Sequence, residues 1–345
     1  MKTLLLAALV ATGLTLPAIP PVLANDTMSQ LGTGGLIFLT SGKVAMQSED
    51  LYVSMDEVRV AYEFRNDGEI DETALVAFPL PDITGSGDFM VSIPTNSTDN
   101  IFGFTTTFNG APVEVTQHQY VFAFGVDHTA LLQSLEVPLA PFSTETQEAL
   151  DALSDADKAA LLHNGLVIPM EYDMGNGMQT SYVPVWTLKT TYTWEATFKA
   201  GEVAEVVHTY RPSVGGTVGV TFLAEPYDGY DPAKEYAGKY CTDESFLSTV
   251  RKTLPNPDEP YGAPFFENWL TYIWSTGNNW NGPIERFHLT IDKGRPENLV
   301  SFCWDGEVTK TGPTTFEMEA TDFFPPYGRE LEVLILNRQI EQNVG

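Results

Sequence analysis

Basic side chains are scarce. The 345 residues include 18 Lys and Arg against 46 Asp and Glu, a formal net charge of −28. Such a surface repels phosphate backbones and anionic lipid head groups, which argues against nucleic acid and acidic membrane surfaces as partners. It favours solubility, cations and basic protein surfaces without selecting one of them. Cysteine is nearly absent, with Cys241 and Cys303 the only two. Long apolar runs are lacking too. The run from Leu4 to Leu16 falls short of the ~20 residues that span a bilayer, and no later segment is long and apolar enough, so no membrane span is expected. No fixed-period repeat and no low-complexity tract is found.

What is present begins with "MKTLLLAALVATGLTLPAIPPVLAND". One Lys, an apolar run, helix-breaking prolines and a small residue at Ala24 follow the order of a secretory signal. A core helix would have to tolerate Pro17, Pro20 and Pro21. The sequence therefore predicts a signal peptide over residues 1–24, cleavage near Ala24, and a periplasmic or secreted product. Removing Met1–Ala24 takes away Lys2 and no acid, leaving −29. In an oxidising compartment Cys241 and Cys303 read as a disulfide.

Aromatic and β-branched residues with frequent turn signals predict a mainly β protein. Leu51, Val53 and Met55 alternate, the phase shifts across Asp56-Glu57, and Val58, Val60, Tyr62 and Phe64 alternate again: two strands and a turn, or a bulge. Asn109-Gly110 marks a further hairpin. Helical spacing then sets in, with Leu150, Leu153, Leu161 and Leu162 apolar, Thr144 and Gln147 as a capping box, Ser154 or Asp155 as a second cap, and Gly165 as a stop. Strand patterns resume and continue to "LEVLIL". The division expected is an N-terminal β-sandwich part over 25–126, a helical insertion and connector over 127–182, and a C-terminal β-sandwich part over 183–345. Pro79 and Pro81, two apart in "ALVAFPLPDI", remove donors from one side of a strand, which would protect that edge or let the strand leave its sheet.

"SEDLYVS", "VRVAYEFRN", "LVAFPLPDI", "HTYRPSVGG", "NNWNGPI" and "DKGRPENLVSFCWDG" occur in this order from about Gly34 to Leu336. Together they resemble the bacterial exported family called domain of unknown function 4424. That resemblance implies an immunoglobulin-like antiparallel β-sandwich architecture and an envelope location, and it brings no catalytic positions. The N-terminal part is also similar to the vault/inter-α-trypsin domain in its turn, Phe78-Pro79-Leu80-Pro81 and Asn-Gly hairpin. The Asp-x-Ser-x-Ser metal signature of the domain that usually accompanies it is missing.

Catalytic signatures are likewise lacking. There is no Gly-x-Ser-x-Gly elbow, no His-Glu-x-x-His helix, no phosphate-cradling loop and no Gly-x-Gly-x-x-Gly after a strand. His118, His128, His163, His208 and His288 are scattered without metal-ligand spacing, so neither a metal site nor a cofactor is expected. Glu195, Glu267 and Glu285 stand near aromatics, but nothing selects a glycosidase pair among so many carboxylates. The acidic loops "NDGEIDE" and "EPYDGYDP" miss calcium-loop spacing and read as solvated turns. The densest unusual segment is "NWLTYIWSTGNNWNGPIERF". There Trp274 reads as strand core, whereas Trp280 follows a turn-prone run and, with Asn278 and Asn279, forms the candidate binding site: an exposed aromatic plate beside amides. The functional expectation is a non-catalytic envelope module contacting another envelope protein, with a carbohydrate-binding module or an enzyme acting on envelope glycans as the alternative.

Overall fold

The computed structural model describes residues 26–32, 35–173, 175, 177–257 and 259–339; the expected signal peptide lies outside the described residues. The alternation from Val58 to Phe64 becomes strand Val58–Asn66, burying its apolar side chains and exposing Arg59, Glu63 and Arg65. The phase shift before it is a tight turn. Ser54 N–H donates to Glu57 O at 2.9 Å, and strand Val44–Val53 pairs back antiparallel from Val53 opposite Val58. Asn109 and Gly110 take φ of 51° and 75° and join Thr105–Phe108 to Ala111–Pro112, as a two-residue hairpin requires.

Three large sheets carry this mainly β, sandwich-like fold. A seven-stranded sheet includes Glu72–Pro79 and Thr187–Phe198. An eight-stranded sheet runs through Thr315–Phe323, Ile284–Asp292, Val44–Val53, Val58–Asn66 and Val203–Tyr210. A five-stranded sheet includes Phe265–Tyr272 and Leu331–Arg338. One face of the eight-stranded sheet covers both of the others. At one end Phe64 and His208 pack on Phe198, Phe78 and Trp194. At the other end Leu51, Leu289 and Ile291 share the core with Leu270, Val333 and Ile335. The alternate residues Leu334 and Leu336 point to the far side of the five-stranded sheet and join Phe222, Leu247 and Val250, beneath helices Pro232–Tyr240 and Glu244–Arg251.

The expected boundary at 182/183 does not coincide with a break in the sheets. Thr187–Phe198 lies between Glu72–Pro79 and Thr116–Ala123 and completes the first sandwich. Val44–Val53 pairs in parallel with Ile284–Asp292, so N- and C-terminal β parts share one sheet. Helices Thr129–Ser134, Thr144–Ala152 and Asp155–His163 fall inside 127–182. The first cap is Ser143 rather than Thr144, its Oγ accepting from Thr146 N–H at 3.1 Å. Ser154 caps the next helix.

The prolines sit on one side of a strand, as their spacing requires. The strand pairs along its length with Thr187–Phe198, and Leu80 N–H, between the two prolines, donates to Thr190 O on that side at 2.9 Å. The ladder to Thr27–Gly32 is described as far as Thr27 opposite Ala77, and Pro79 and Pro81 extend that side beyond it. The strand does not leave its sheet. After a one-residue slip, Ile83–Thr84 resumes pairing with Leu188 and Thr187, so the prolines line an edge that has no strand partner among the described residues.

Cys241 and Cys303 are bonded, their Cα atoms 5.1 Å apart. The bridge fastens the end of helix Pro232–Tyr240 to the end of strand Leu299–Phe302.

Candidate functional site

The Trp-Asn segment is core, which corrects the expectation of an exposed plate at Trp280. Trp280 is 3% exposed, and its ring lies 4.4 Å from Phe64 and 5.9 Å from Phe198. Its Nε1–H donates to Asp26 O. The turn itself exists as a 3-10 helix over Ser275–Asn279, but the N-terminal segment closes over it. Ser41 N–H donates to Asn279 O at 2.7 Å, and Asn279 Nδ2–H donates to Thr27 Oγ1 at 3.1 Å. Asn278 donates to Ser275 O and Pro325 O at 3.0 and 2.9 Å. Neither amide is left facing outward as a free donor. Trp274, read as core, is 3% exposed.

The scattered histidines and carboxylates stay scattered. His208 is fully buried against Asp26 at 3.0 Å, and burial raises the Asp26 carboxyl above its ordinary range despite the imidazole beside it. His118 contacts Thr193 at 2.9 Å. Among the described residues no group of three or more His, Cys, Asp or Glu side chains is placed to hold a metal ion. Glu195, Glu267 and Glu285 belong to three different sheets. Glu267 is buried and accepts from Tyr236 Oη–H at 2.6 Å and from Thr221 N–H. Burial pushes its carboxyl up, and the same burial, with Glu267 alongside, pushes the Tyr236 phenol well up. Its donors come from helix Pro232–Tyr240 and the segment before it, so Glu267 clamps the helical layer to the five-stranded sheet.

An aromatic cavity that the sequence reading did not single out lies at the open end of Thr315–Phe323. Thr309–Lys310 covers that strand only at Phe316 and Glu317, and among the described residues the edge beyond is unpaired. Phe287 and Phe323 stack with centroids 4.5 Å apart, and Trp304 lies 5.8 Å from Phe287 and 5.6 Å from Phe323. Trp274 adds an edge 5.7 Å from Phe323. Trp274 and Phe287 are buried, whereas Trp304 and Phe323 are half-buried at the mouth of a cavity of about 170 Å³.

Each wall has a local cause. The disulfide at Cys303 fixes the start of the Trp304 loop. A Cβ at Gly306 would stand 2.6 Å from Trp304 Nε1, so only glycine lets the loop fold back over the indole. Trp274 is held by its Nε1–H donating to Arg329 O at 2.7 Å and its N–H donating to Glu330 Oε2 at 3.0 Å. Burial raises the Glu330 carboxyl. A Trp beside a half-cystine and before Asp305-Gly306 was the available sequence signal.

The cavity borders the solvent face of the eight-stranded sheet. A depression of about 900 Å³ there is lined by Asp50, Glu63, Glu205, Arg286 and His288, and it shares Glu319 and Ala320 with the aromatic cavity. Its basic side chains already have partners, as has the arginine of the aromatic wall. Arg286 donates to Glu63 at 2.8 Å, His288 Nδ1 lies 3.1 Å from Asp50 Oδ1, and Arg329 of the aromatic wall donates to Cys241 Sγ at 3.0 Å. Glu205, Glu319 and Asp305 are exposed and form no ion pair among the described residues. An apolar anchor site thus adjoins uncompensated negative charge, an arrangement suited to recognition.

Among solved structures, the chain is similar to a "putative nutrient binding protein" from Legionella pneumophila subsp. pneumophila str. Philadelphia 1, at 13% identity and a TM-score of 0.45, covering 91% of this chain and 70% of that one. No curated protein matches it. The family model described as "Domain of unknown function (DUF4424)" matches residues 24–334, most of the chain, and the chain belongs to that family.

Proposed function

We propose that the protein is an exported envelope module that binds another envelope protein rather than catalysing a reaction, and that the cavity under Trp304 is its contact site. One observation supports this most directly: a half-open aromatic cavity meets a sheet face whose cations are engaged while Asp305, Glu205 and Glu319 are not. Interfaces concentrate their energy in such aromatic pockets and draw orientation from the surrounding charge. The reading calls on no cofactor. Export to the periplasm or medium rests on the N-terminal sequence, and a product beginning near Asn25 is expected on N-terminal sequencing. The vault/inter-α-trypsin likeness contributes no function to this reading.

The test is crosslinking and pull-down from intact cells with the parent and Trp304→Ala. Loss of the captured protein in the variant, with the melting temperature held within a few degrees, supports the site; equal capture refutes it. The alternative, a glycan-binding module or glycan-acting enzyme, draws on the partly exposed Trp304 beside Asp305 and Glu319, since sugars also pack on aromatic faces and donate hydrogen bonds to carboxylates. Binding to soluble oligosaccharide without turnover would favour the module, and cleavage of a glycan panel the enzyme.

A further inference from the structure

Resting on that choice of site, we infer that the aromatic cavity receives an organic cation: an ammonium or guanidinium group on an apolar stem, as a lysine or arginine side chain of the partner presents it. Two separate properties of the cavity point to this class. The partly exposed rings of Trp304 and Phe323, with Trp274 behind them, offer π faces that attract a cation, tryptophan most strongly. Ala320 and Pro326 complete an apolar wall along which a methylene stem can lie.

The second property is the charge balance at the mouth. Asp305 and Glu319 line the cavity without an ion-pair partner among the described residues. Arg329 also lines the cavity, so the two carboxylates leave a net negative charge of one there. Arg329 donates to Cys241 Sγ at 3.0 Å and Arg286 to Glu63 at 2.8 Å, while His288 stands between Asp50 at 3.1 Å and Glu317 at 4.0 Å. An anion would meet two free carboxylates and the field of a chain carrying −28. A neutral apolar group would fill the rings but leave the carboxylates unused. An alkylammonium or alkylguanidinium satisfies both.

The experiment titrates the purified mature protein with Nα-acetyl-lysine amide, Nα-acetyl-arginine amide, neutral Nα-acetyl-norleucine amide and butylammonium, read by calorimetry and tryptophan fluorescence. The two cationic amino-acid probes are expected to bind about tenfold or more tightly than the norleucine probe, and to weaken as salt rises. The lysine and arginine arms decide between ammonium and guanidinium. Butylammonium carries the same ammonium and stem without a peptide backbone, so it too is expected to bind more tightly than the norleucine probe, and its failure to do so would overturn the cation assignment. Asp305→Asn with Glu319→Gln, both at exposed positions, should cut cationic binding about tenfold while leaving norleucine binding and melting temperature unchanged. Equal affinity for lysine and norleucine probes, no binding of any probe, or full cationic affinity in the double variant would overturn the inference. If the probes fail while partner capture still depends on Trp304, the cation assignment falls and the site stands. If capture ignores Trp304, the site itself falls.

Discussion

Replacing Trp280 by alanine should unfold the protein at a much lower temperature and leave the partner specificity of the folded fraction intact. The ring is 3% exposed, lies 4.4 Å from Phe64 and 5.9 Å from Phe198, and lines neither the aromatic cavity nor the acidic depression. Emptying such a site costs ~3–5 kcal/mol through lost transfer energy and the cavity left behind. The Asp26 carbonyl also loses the indole donor, and a buried acceptor deprived of its donor adds ~1–3 kcal/mol where the surroundings do not relax. At about 2 °C per kcal/mol for a chain of this size, the melting temperature should drop by roughly 8 °C or more. Trp280→Phe keeps an aromatic ring and removes the donor, so about 1–3 kcal/mol is expected. Calorimetry and urea titration on the parent and both variants read these differences, and pull-down at a temperature where each is folded reads the partner. A Trp280→Ala protein melting within about 2 °C of the parent would refute the packing argument.

Three further outcomes follow from buried or constrained groups. Asp26, Glu267 and Glu330 have carboxyls raised by burial, so the folded chain holds their protons more tightly than the unfolded chain. Their stabilisation is complete below the ordinary carboxylate value of about 4 and is lost as pH rises through the raised values. Melting temperature should therefore fall from pH 5 to pH 8, less steeply in Glu267→Gln; a rise over that interval would contradict the sign. Replacing Cys241 and Cys303 by serine opens a crosslink spanning 62 residues, with an expected cost of ~4 kcal/mol in the chain-entropy account. The same variant should lose Trp304-dependent capture, and unchanged urea midpoint and capture would count against both roles. Pro79→Val with Pro81→Val restores donors on an edge that has no strand partner among the described residues, so size-exclusion chromatography should show greater self-association; a double variant as monodisperse as the parent removes the edge-protection argument.

Local features of the fold could be read in the sequence because their causes are local. The period-two run at Val58–Phe64, the turn at Ser54–Glu57, the Asn109-Gly110 hairpin and the caps near Ser143 and Ser154 each depend on a few adjacent residues. The parallel pairing of Val44–Val53 with Ile284–Asp292 depends on residues more than two hundred positions apart, and no period announces it. The helices Pro232–Tyr240 and Glu244–Arg251 did carry a local signal, Asp231 and Asp243 as caps with Pro232 at the first position, but the surrounding aromatic run masked it. The misreading of Trp280 is the most instructive case. Gly277-Asn278-Asn279 does turn, as its residues require, yet whether a turn meets solvent is decided by what lies over it. Here Asp26, Thr27 and Ser41 lie over it.

The cavity at Trp304 was hidden for the same reason, and it changes what the composition means. An excess of acids over the whole chain says only that cations are attracted somewhere. What gives the excess a place is the pairing of the scarce cations. On the solvent face of the eight-stranded sheet Arg286 is held by Glu63 and His288 by Asp50, and at the aromatic wall Arg329 is turned to Cys241. Glu63 neutralises Arg286, whereas the bond to a neutral disulfide sulfur orients Arg329 without cancelling its charge, so Glu319 and Asp305 together exceed the counter-charge that Arg329 brings to the cavity wall. Redirecting one of these cations should therefore matter more than adding a remote one. Cys241→Ala with Cys303→Ala leaves the Arg329 guanidinium without its acceptor at position 241, and its swing toward Glu319 would lower affinity for a cationic probe beyond what loosening the loop does alone. Combining Arg329→Gln with the two alanines separates the two effects. Recovery of part of the cationic binding would show Arg329 competing for the site; no recovery would leave loop loosening as the whole effect and remove the charge-balance argument from this wall.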